Sequence, residues 1–242
     1  VKRRLFIASS LGALGLAGCS SVKNSLTNGP FRTVLLSAER WNHAVIGTHG
    51  MAREYSDRDV DKQFRTNGFD TPSDASYTGL VNGGFHDYRL AVDGLVDRPQ
   101  GFSLAALRAA GLHTQITRHD CVEGWSAIGK WSGVQLSTVL AMVQPKSTAR
   151  YCVFHCIDTD QNGTRYYESL DLVEAAHPQT ILALDLNGAP LDPDHGAPVR
   201  LKVPTQLGYK SAKWVQRIEL VATLPGAGGY WEDQGYEWYA GI

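Results

Sequence analysis

The stretch Arg118-His119-Asp120-Cys121-Val122-Glu123-Gly124-Trp125-Ser126 decides how this chain is read. Just before it, Thr114 to Arg118 reads as a β-strand, which delivers His119-Asp120-Cys121 to the point where strand gives way to loop. A cysteine in that place has three chemical readings: a small buried hydrophobe, a nucleophile, or a soft metal ligand. His119 lies two residues before Cys121 and would share its strand face, so a cysteine–histidine hydrolase is one form of the second reading. The sequence carries no glycine-rich phosphate loop, no paired zinc-type CxxC and no HExxH motif.

Working outward, Gly133 to Val143 carries Leu136, Val139, Leu140 and Val143 at helical spacing. Tyr88 to Val92 alternates and runs into an Asp93-Gly94 turn, which predicts a strand. Ser103 is a plausible N-cap for a helix over Leu104 to Ala110, stopped by Gly111. Tyr151 to Ile157 is β-rich, and Ser169 to Ala176 has the pattern of a short helix before Pro178. Ile181 to Leu186, Val199 to Val203 and Trp214 to Val221 read as strands, with Asn187-Gly188 a strong turn signal. Strands and short helices mix without a regular βαβ period, so the expected class is α+β.

At 242 residues, with 43% hydrophobic and 19% charged residues, the chain is globular rather than disordered. Its 23 Lys and Arg against 24 Asp and Glu provide no overall field for nucleic acid or an acidic membrane. Lys2-Arg3-Arg4 followed by the apolar Leu5 to Ala17 reads as an export signal, too short to span a bilayer, which takes about 20 residues. The paired arginines point to twin-arginine export, and Leu16-Ala17-Gly18-Cys19 is similar to a bacterial lipobox. Val1 reads as an alternative start codon taken literally. The expected organisation is an export signal over 1–18, a tether and arm over 19–60, and one folded domain over 61–242.

If Cys19 carries lipid, three of the four cysteines remain, and an odd number cannot all pair internally. On a strand, Cys152 and Cys156 would stand roughly 13 Å apart, whereas a disulfide needs Cα atoms within about 7 Å.

The segment from Cys121 to Ser126, with Trp131 and Gly133-Val134-Gln135-Leu136 after it, resembles the metal-ligand segment of the sulfite oxidase superfamily. It is most like the bacterial branch of periplasmic methionine sulfoxide reductase catalytic subunits. Further motifs agree in the same order: Phe64-Arg65-Thr66-Asn67-Gly68 with Pro72, then Tyr88 to Val96 with Pro99, then Ile181 to Gly188 with Leu191. His195-Gly196-Ala197-Pro198-Val199-Arg200-Leu201, Val203-Pro204 and Gly208-Tyr209-Lys210-Ser211-Ala212-Lys213-Trp214 follow. The resemblance runs from about Phe64 to the C-terminal run Gly229 to Tyr239.

This resemblance implies a mixed, strand-rich, sulfite-oxidase-like molybdopterin-binding fold holding a molybdenum–molybdopterin cofactor. Cys121 becomes the one protein ligand to the metal and, with Tyr166, a catalytic residue. A thiolate suits a metal that cycles between oxidation states. Asn67, Cys156, His195, Arg200, Ser211, Ala212 and Lys213 are implied as cofactor contacts, the cations answering the cofactor's phosphate. The chain departs from the family in two places: Glu123, Gly124 and Trp125 stand where sulfite oxidases hold an anion-binding Arg, and Cys156 stands where the reductase branch has Thr.

The expected activity is oxygen-atom or two-electron transfer on a small-molecule substrate, in the periplasm, with a possible lipid anchor at Cys19. With no CxxCH haem site or iron–sulfur cysteine set, the chain needs a separate haem-containing electron carrier. It ends without the dimerisation domain of animal and plant sulfite oxidases, which implies a monomer. The alternative is a cofactor-free binding lipoprotein that retains the scaffold.

Overall fold

The computed structural model describes residues 50–242, together with Ser37, Trp41 and Ala44. The export signal, the lipobox and most of the tether and arm lie outside the described residues. The elements run α1 (Ala75–Asn82), β1 (Leu90–Gly94), β2 (Gln100–Phe102), α2 (Leu104–Ala109), β3 (His113–Cys121) and β4 (Trp125–Gln135). Then follow α3 (Leu136–Val143), β5 (Tyr151–Thr159), β6 (Arg165–Asp171), α4 (Leu172–Ala175), β7 (Ile181–Leu186), β8 (Ala189–Pro190), β9 (Arg200–Lys202), β10 (Val215–Val221) and α5 (Tyr230–Asp233).

The strands form two five-stranded sheets, one in the order β2-β1-β10-β5-β6, the other β3-β4-β7-β8 with β9 also paired to β7. Only β1 and β10 run parallel among these pairings. The α+β class expected from the sequence is therefore the one observed.

Period-2 burial explains the first sheet: Leu90 and Val92 of β1, Cys152, Phe154 and Cys156 of β5, and Ile218 and Leu220 of β10 all enter one core. Strand β7 is apolar on both faces because it serves two cores. Leu182 and Leu184 join the main one, while Ile181 and Ala183 pack with Phe64, Ala127 and Trp131. The Asn187-Gly188 turn closes β7 onto β8, with positive φ at both residues, as a two-residue hairpin requires. Ser103 caps α2 by accepting a hydrogen bond from the Ala106 N–H at 3.1 Å.

Two predicted boundaries move. The helix expected from Gly133 begins at Leu136, because Gly133 belongs to β4 and lies flush against β7. A Cβ there would stand 2.1 Å from the Leu182 carbonyl. The helix expected over Ser169 to Ala176 shrinks to α4, since Ser169 and Leu170 pair with β5 and Asp171 is the N-cap. Residues 50–61 lie along the β3–β4 hairpin: the Tyr55 N–H donates to the Ile116 carbonyl and the Asp61 N–H to that of Ile128, both at 2.9 Å.

Candidate functional site

Cys121 ends β3 and faces Trp125, the first residue of β4, across a tight turn in which Gly124 has φ +87°. Asp120 ties the hairpin down from outside, accepting from Arg118 Nε at 2.9 Å and Ser126 Oγ at 2.6 Å. The thiol is half-buried, and burial pushes it above the usual thiol range. The Glu123 backbone N–H and the Arg200 and Arg65 charges act in the opposite sense. A bound cation would complete that reversal, because a coordinated thiol loses its proton.

The thiol opens into a small cavity of about 50 Å³, which it shares with Asn67, Phe69, Tyr166, Ser211, Lys213 and Trp231. A second cavity of about 440 Å³ adjoins it along Asn67 to Phe69 and is lined by Thr71, Glu123, Asp194 and Lys213. A larger groove of about 750 Å³ lies against Gly68 to Asp74, Thr159 to Asn162 and Arg165. The residues that line that groove include no thiol, imidazole or buried cation, whereas the two smaller spaces share Lys213 and one of them holds Cys121.

Three cations crowd the inner side of this region. Arg200 and Lys202, two residues apart on β9, are almost fully buried and lie 5.3 and 5.5 Å from the Trp131 ring centroid. Arg200 donates to Asn67 Oδ1 at 3.1 Å and the His195 carbonyl at 3.3 Å, while its Nε has no partner. Lys202 donates to the Arg118 carbonyl at 3.1 Å. Lys213 donates to the carbonyls of Phe69 at 2.7 Å and Asp194 at 3.2 Å. Burial, reinforced by the Arg200 charge, pulls Lys202 and Lys213 each down to about 7, and burial brings Arg200 down to about 10.

Among the described residues no carboxylate forms an ion pair with any of the three. Buried cations without counter-charge are costly, and an anionic ligand is the ordinary remedy. Nor, among the described residues, do three or more His, Cys, Asp or Glu side chains gather to hold a metal. A metal on Cys121 would therefore have to bring most of its ligands with it. An anionic cofactor carrying its own sulfur donors fits both facts.

The expected site residues divide into groups. Cys121, Asn67, Tyr166, Ser211 and Lys213 converge on one cavity, with Arg200 joined to it through Asn67. The Tyr166 hydroxyl donates to the Tyr209 carbonyl at 2.6 Å. His195 has both ring nitrogens engaged, Nδ1 with Asp192 at 2.8 Å and Nε2 with the Phe64 carbonyl at 3.0 Å. It ties the start of the 64–69 segment to the turn before Gly196.

The backbone N–H of Ser211 donates to the Gly208 carbonyl at 3.0 Å, because residues 208–210 wind into a 3₁₀ turn. Ala212 and Cys156 are buried in the main core rather than lining the cavity. For Cys156 the cause is parity, since it shares the inward face of β5 with Cys152 and Phe154.

Sequence reasoning missed Lys202 as a site residue and gave His119 only a nucleophile-partner reading. His119 lies between Phe64 and Trp125 with both ring nitrogens buried and unpartnered, and burial among Lys202 and Arg200 drives its pKa well down. Its Nε2 lies where a side chain on Gly208 would go, 2.4 Å from a Cβ placed there. Gln115, Thr117 and His119 alternate along β3, a polar stripe that would have marked an unusual strand face.

Residues 79–231 match the model for the oxidoreductase molybdopterin binding domain. The chain is 37% identical to a putative protein-methionine-sulfoxide reductase subunit, YedZ1, of Azospira oryzae, over 99% of this chain and 87% of that one. It is 30% identical to the protein-methionine-sulfoxide reductase catalytic subunit MsrP of Ralstonia nicotianae, over 93% and 70% respectively. Among solved structures, the sulfane dehydrogenase SoxCD of Paracoccus pantotrophus superposes with a TM-score of 0.52 at 26% identity, covering 57% of this chain and 39% of that one. With a soft thiol, buried unpaired cations and a family match across most of the body, the chain belongs to the molybdopterin-binding oxidoreductases of the sulfite oxidase family.

Proposed function

We propose that this chain is the catalytic subunit of a sulfoxide reductase of the protein-methionine-sulfoxide type. The observation that carries the reading is the meeting of the Cys121 thiol with Asn67, Arg200 and Lys213 at one cavity, in a chain matched over almost its whole length by relatives bearing that name.

Cys121 would hold the metal; Asn67, Arg200 and Lys213 would hold the pterin and its phosphate. Bound there, the molybdenum cofactor supplies oxygen-atom transfer coupled to two electrons. The net change is a sulfoxide plus two electrons and two protons giving a thioether and water. Glu123, whose carboxyl is held low chiefly by its bond from Trp125 Nε1, keeps a negative charge beside the cavity mouth. That charge disfavours an anion such as sulfite and leaves a neutral sulfoxide unopposed. Tyr166, buried, with its pKa pushed well up by that burial, stays protonated and holds the Tyr209 turn by its hydroxyl.

Electrons would come from a separate haem-containing carrier, because the sequence has no redox motif beyond Cys121. Export through Arg3 and Arg4, with lipidation at Cys19, would place residues 61–242 as the oxidoreductase domain in the periplasm. Among the described residues no helix is long and apolar enough to cross a membrane.

The test is elemental analysis and turnover of protein matured in a molybdopterin-competent bacterium. The expected result is close to one molybdenum per chain and reduction of methionine sulfoxide by an artificial donor. Well-folded protein containing no molybdenum would instead favour the binding-lipoprotein alternative.

A further inference from the structure

Four rings wall the Cys121 cavity: Phe69, Tyr166, Tyr209 and Trp231. Phe69 links two of the others, 5.6 Å from Tyr166 and 6.3 Å from Trp231, centroid to centroid. Three of them come from separate pieces of chain: β6, the 208–210 turn and α5. Each of these pieces also contributes one member of a buried ion triad.

Lys210 donates to Glu168 and, at 2.6 Å, to Glu232 Oε1, and no side chain of the three is more than 1% exposed. Glu168 is two residues beyond Tyr166, Lys210 follows Tyr209, and Glu232 follows Trp231.

Two carboxylates around one ammonium are expensive to bury, and apolar side chains could join the same segments at no greater cost. What the triad adds is a single register, since its donor and acceptors meet in only one arrangement. Burial pushes the Glu168 carboxyl well up, and the neighbouring Lys210 acts in the opposite sense. A substrate that enters the cavity beside the Cys121 thiol would meet these rings. Sulfur packs favourably against aromatic edges, and a methyl group gains from the same apolar surface.

We propose that Trp231, with Phe69 and Tyr166, is the specificity-determining wall for the sulfur end of a neutral sulfoxide, and that the Glu168–Lys210–Glu232 triad positions it. The inference rests on the sulfoxide-reductase reading and deepens it.

Holoenzymes carrying Trp231→Ala, Glu232→Ala and Glu232→Gln are compared with the wild type. Molybdenum content, the Mo(V) resonance spectrum and the kinetics of methionine sulfoxide reduction are measured for each. Trp231→Ala is expected to raise KM roughly fivefold to tenfold, more than it lowers kcat, with metal content and spectrum unchanged. Glu232→Ala should give the same split. Glu232→Gln, which keeps an acceptor for Lys210, should restore the wild-type KM.

An unchanged KM in metal-replete Trp231→Ala overturns the wall while leaving the sulfoxide reading intact. Equal loss of metal and activity in both Glu232 variants overturns the positioning role and makes the triad purely structural. If Glu232→Ala does not fold, Trp231→Ala and Glu232→Gln still decide the matter. A metal-replete wild type that reduces no sulfoxide overturns both the reading and the wall.

Discussion

Lys202→Met should make the cofactor-free protein more stable, by an amount that depends on pH in a known direction. Lys202 is 1% exposed, and burial with the neighbouring Arg200 lowers it from 10.5 to about 7. A lysine whose folded pKa lies below its unfolded value is penalised for the proton it carries. The penalty is complete below pH 7 and fades as pH rises towards 10.5. At ~1.4 kcal/mol per unit it is at most about 5 kcal/mol at pH 6 and about 2 kcal/mol at pH 9. Methionine removes the charge but leaves the Arg118 carbonyl, now 3.1 Å from Nζ, without that donor, which costs about 1 kcal/mol. The net gain is roughly 4 kcal/mol at pH 6 and roughly 1 kcal/mol at pH 9. For a chain of this size that corresponds to a Tm rise of about 8–16 °C at pH 6 and about 2–4 °C at pH 9. Thermal denaturation of both proteins, made in a host unable to synthesise molybdopterin, reads the difference directly. An equal increment at the two pH values, or a loss of stability at pH 6, would refute the view that Lys202 is a buried charge awaiting an anion. Loaded protein should behave the opposite way, Lys202→Met releasing its cofactor sooner.

Asp158 is 4% exposed and burial raises it to about 7, so its ionisation costs stability as pH climbs from about 4 to 7. Asp158→Asn should therefore gain up to about 4 kcal/mol at pH 8 and almost nothing at pH 4, measured by denaturant midpoints at both. Gly208→Ala drives a methyl into His119 and should cost about 1–3 kcal/mol. Most of this should return in the His119→Ala double variant, and additive losses would count against the contact. Cys121→Ser keeps size and shape, so melting should move by about 1 kcal/mol or less while molybdenum content collapses. A wild-type Mo(V) spectrum from that variant would remove Cys121 from the metal.

Strand β3 and the turn after Cys121 could be read because local chemistry determines them. The β-branched Thr114, Ile116 and Thr117 favour a strand, and the turn beyond Cys121 has a glycine that supplies the positive φ. The start of α3 could not. Leu136 to Val143 has helical period, but whether Gly133 belongs to it depends on β7, whose backbone comes too close for any side chain at that position. Ser169 and Leu170 were misplaced for a similar reason: their partners on β5 are distant in sequence, and pairing outweighs helical pattern.

The buried cations show where residue patterns run out. Arg200, Leu201 and Lys202 alternate polar, apolar, polar, and by period alone the charged face of such a strand points to solvent. Arg200 was singled out only through the family resemblance, and Lys202, which shares its face, was not singled out at all. In the fold that face is covered: β9 pairs with β7, Trp131 lies over both charges, and the 64–69 segment, tied by His195, covers the rest. No local rule makes a strand bury its charged face, so the fold must either contain a counter-charge or bind one. Among the described residues no carboxylate pairs with either charge; Asp120, whose charge acts on Lys202, is bonded to Arg118. The buried charge appears only once the sheets are closed, which is why the turn that holds Cys121 was legible in the sequence and the burial of Lys202 was not.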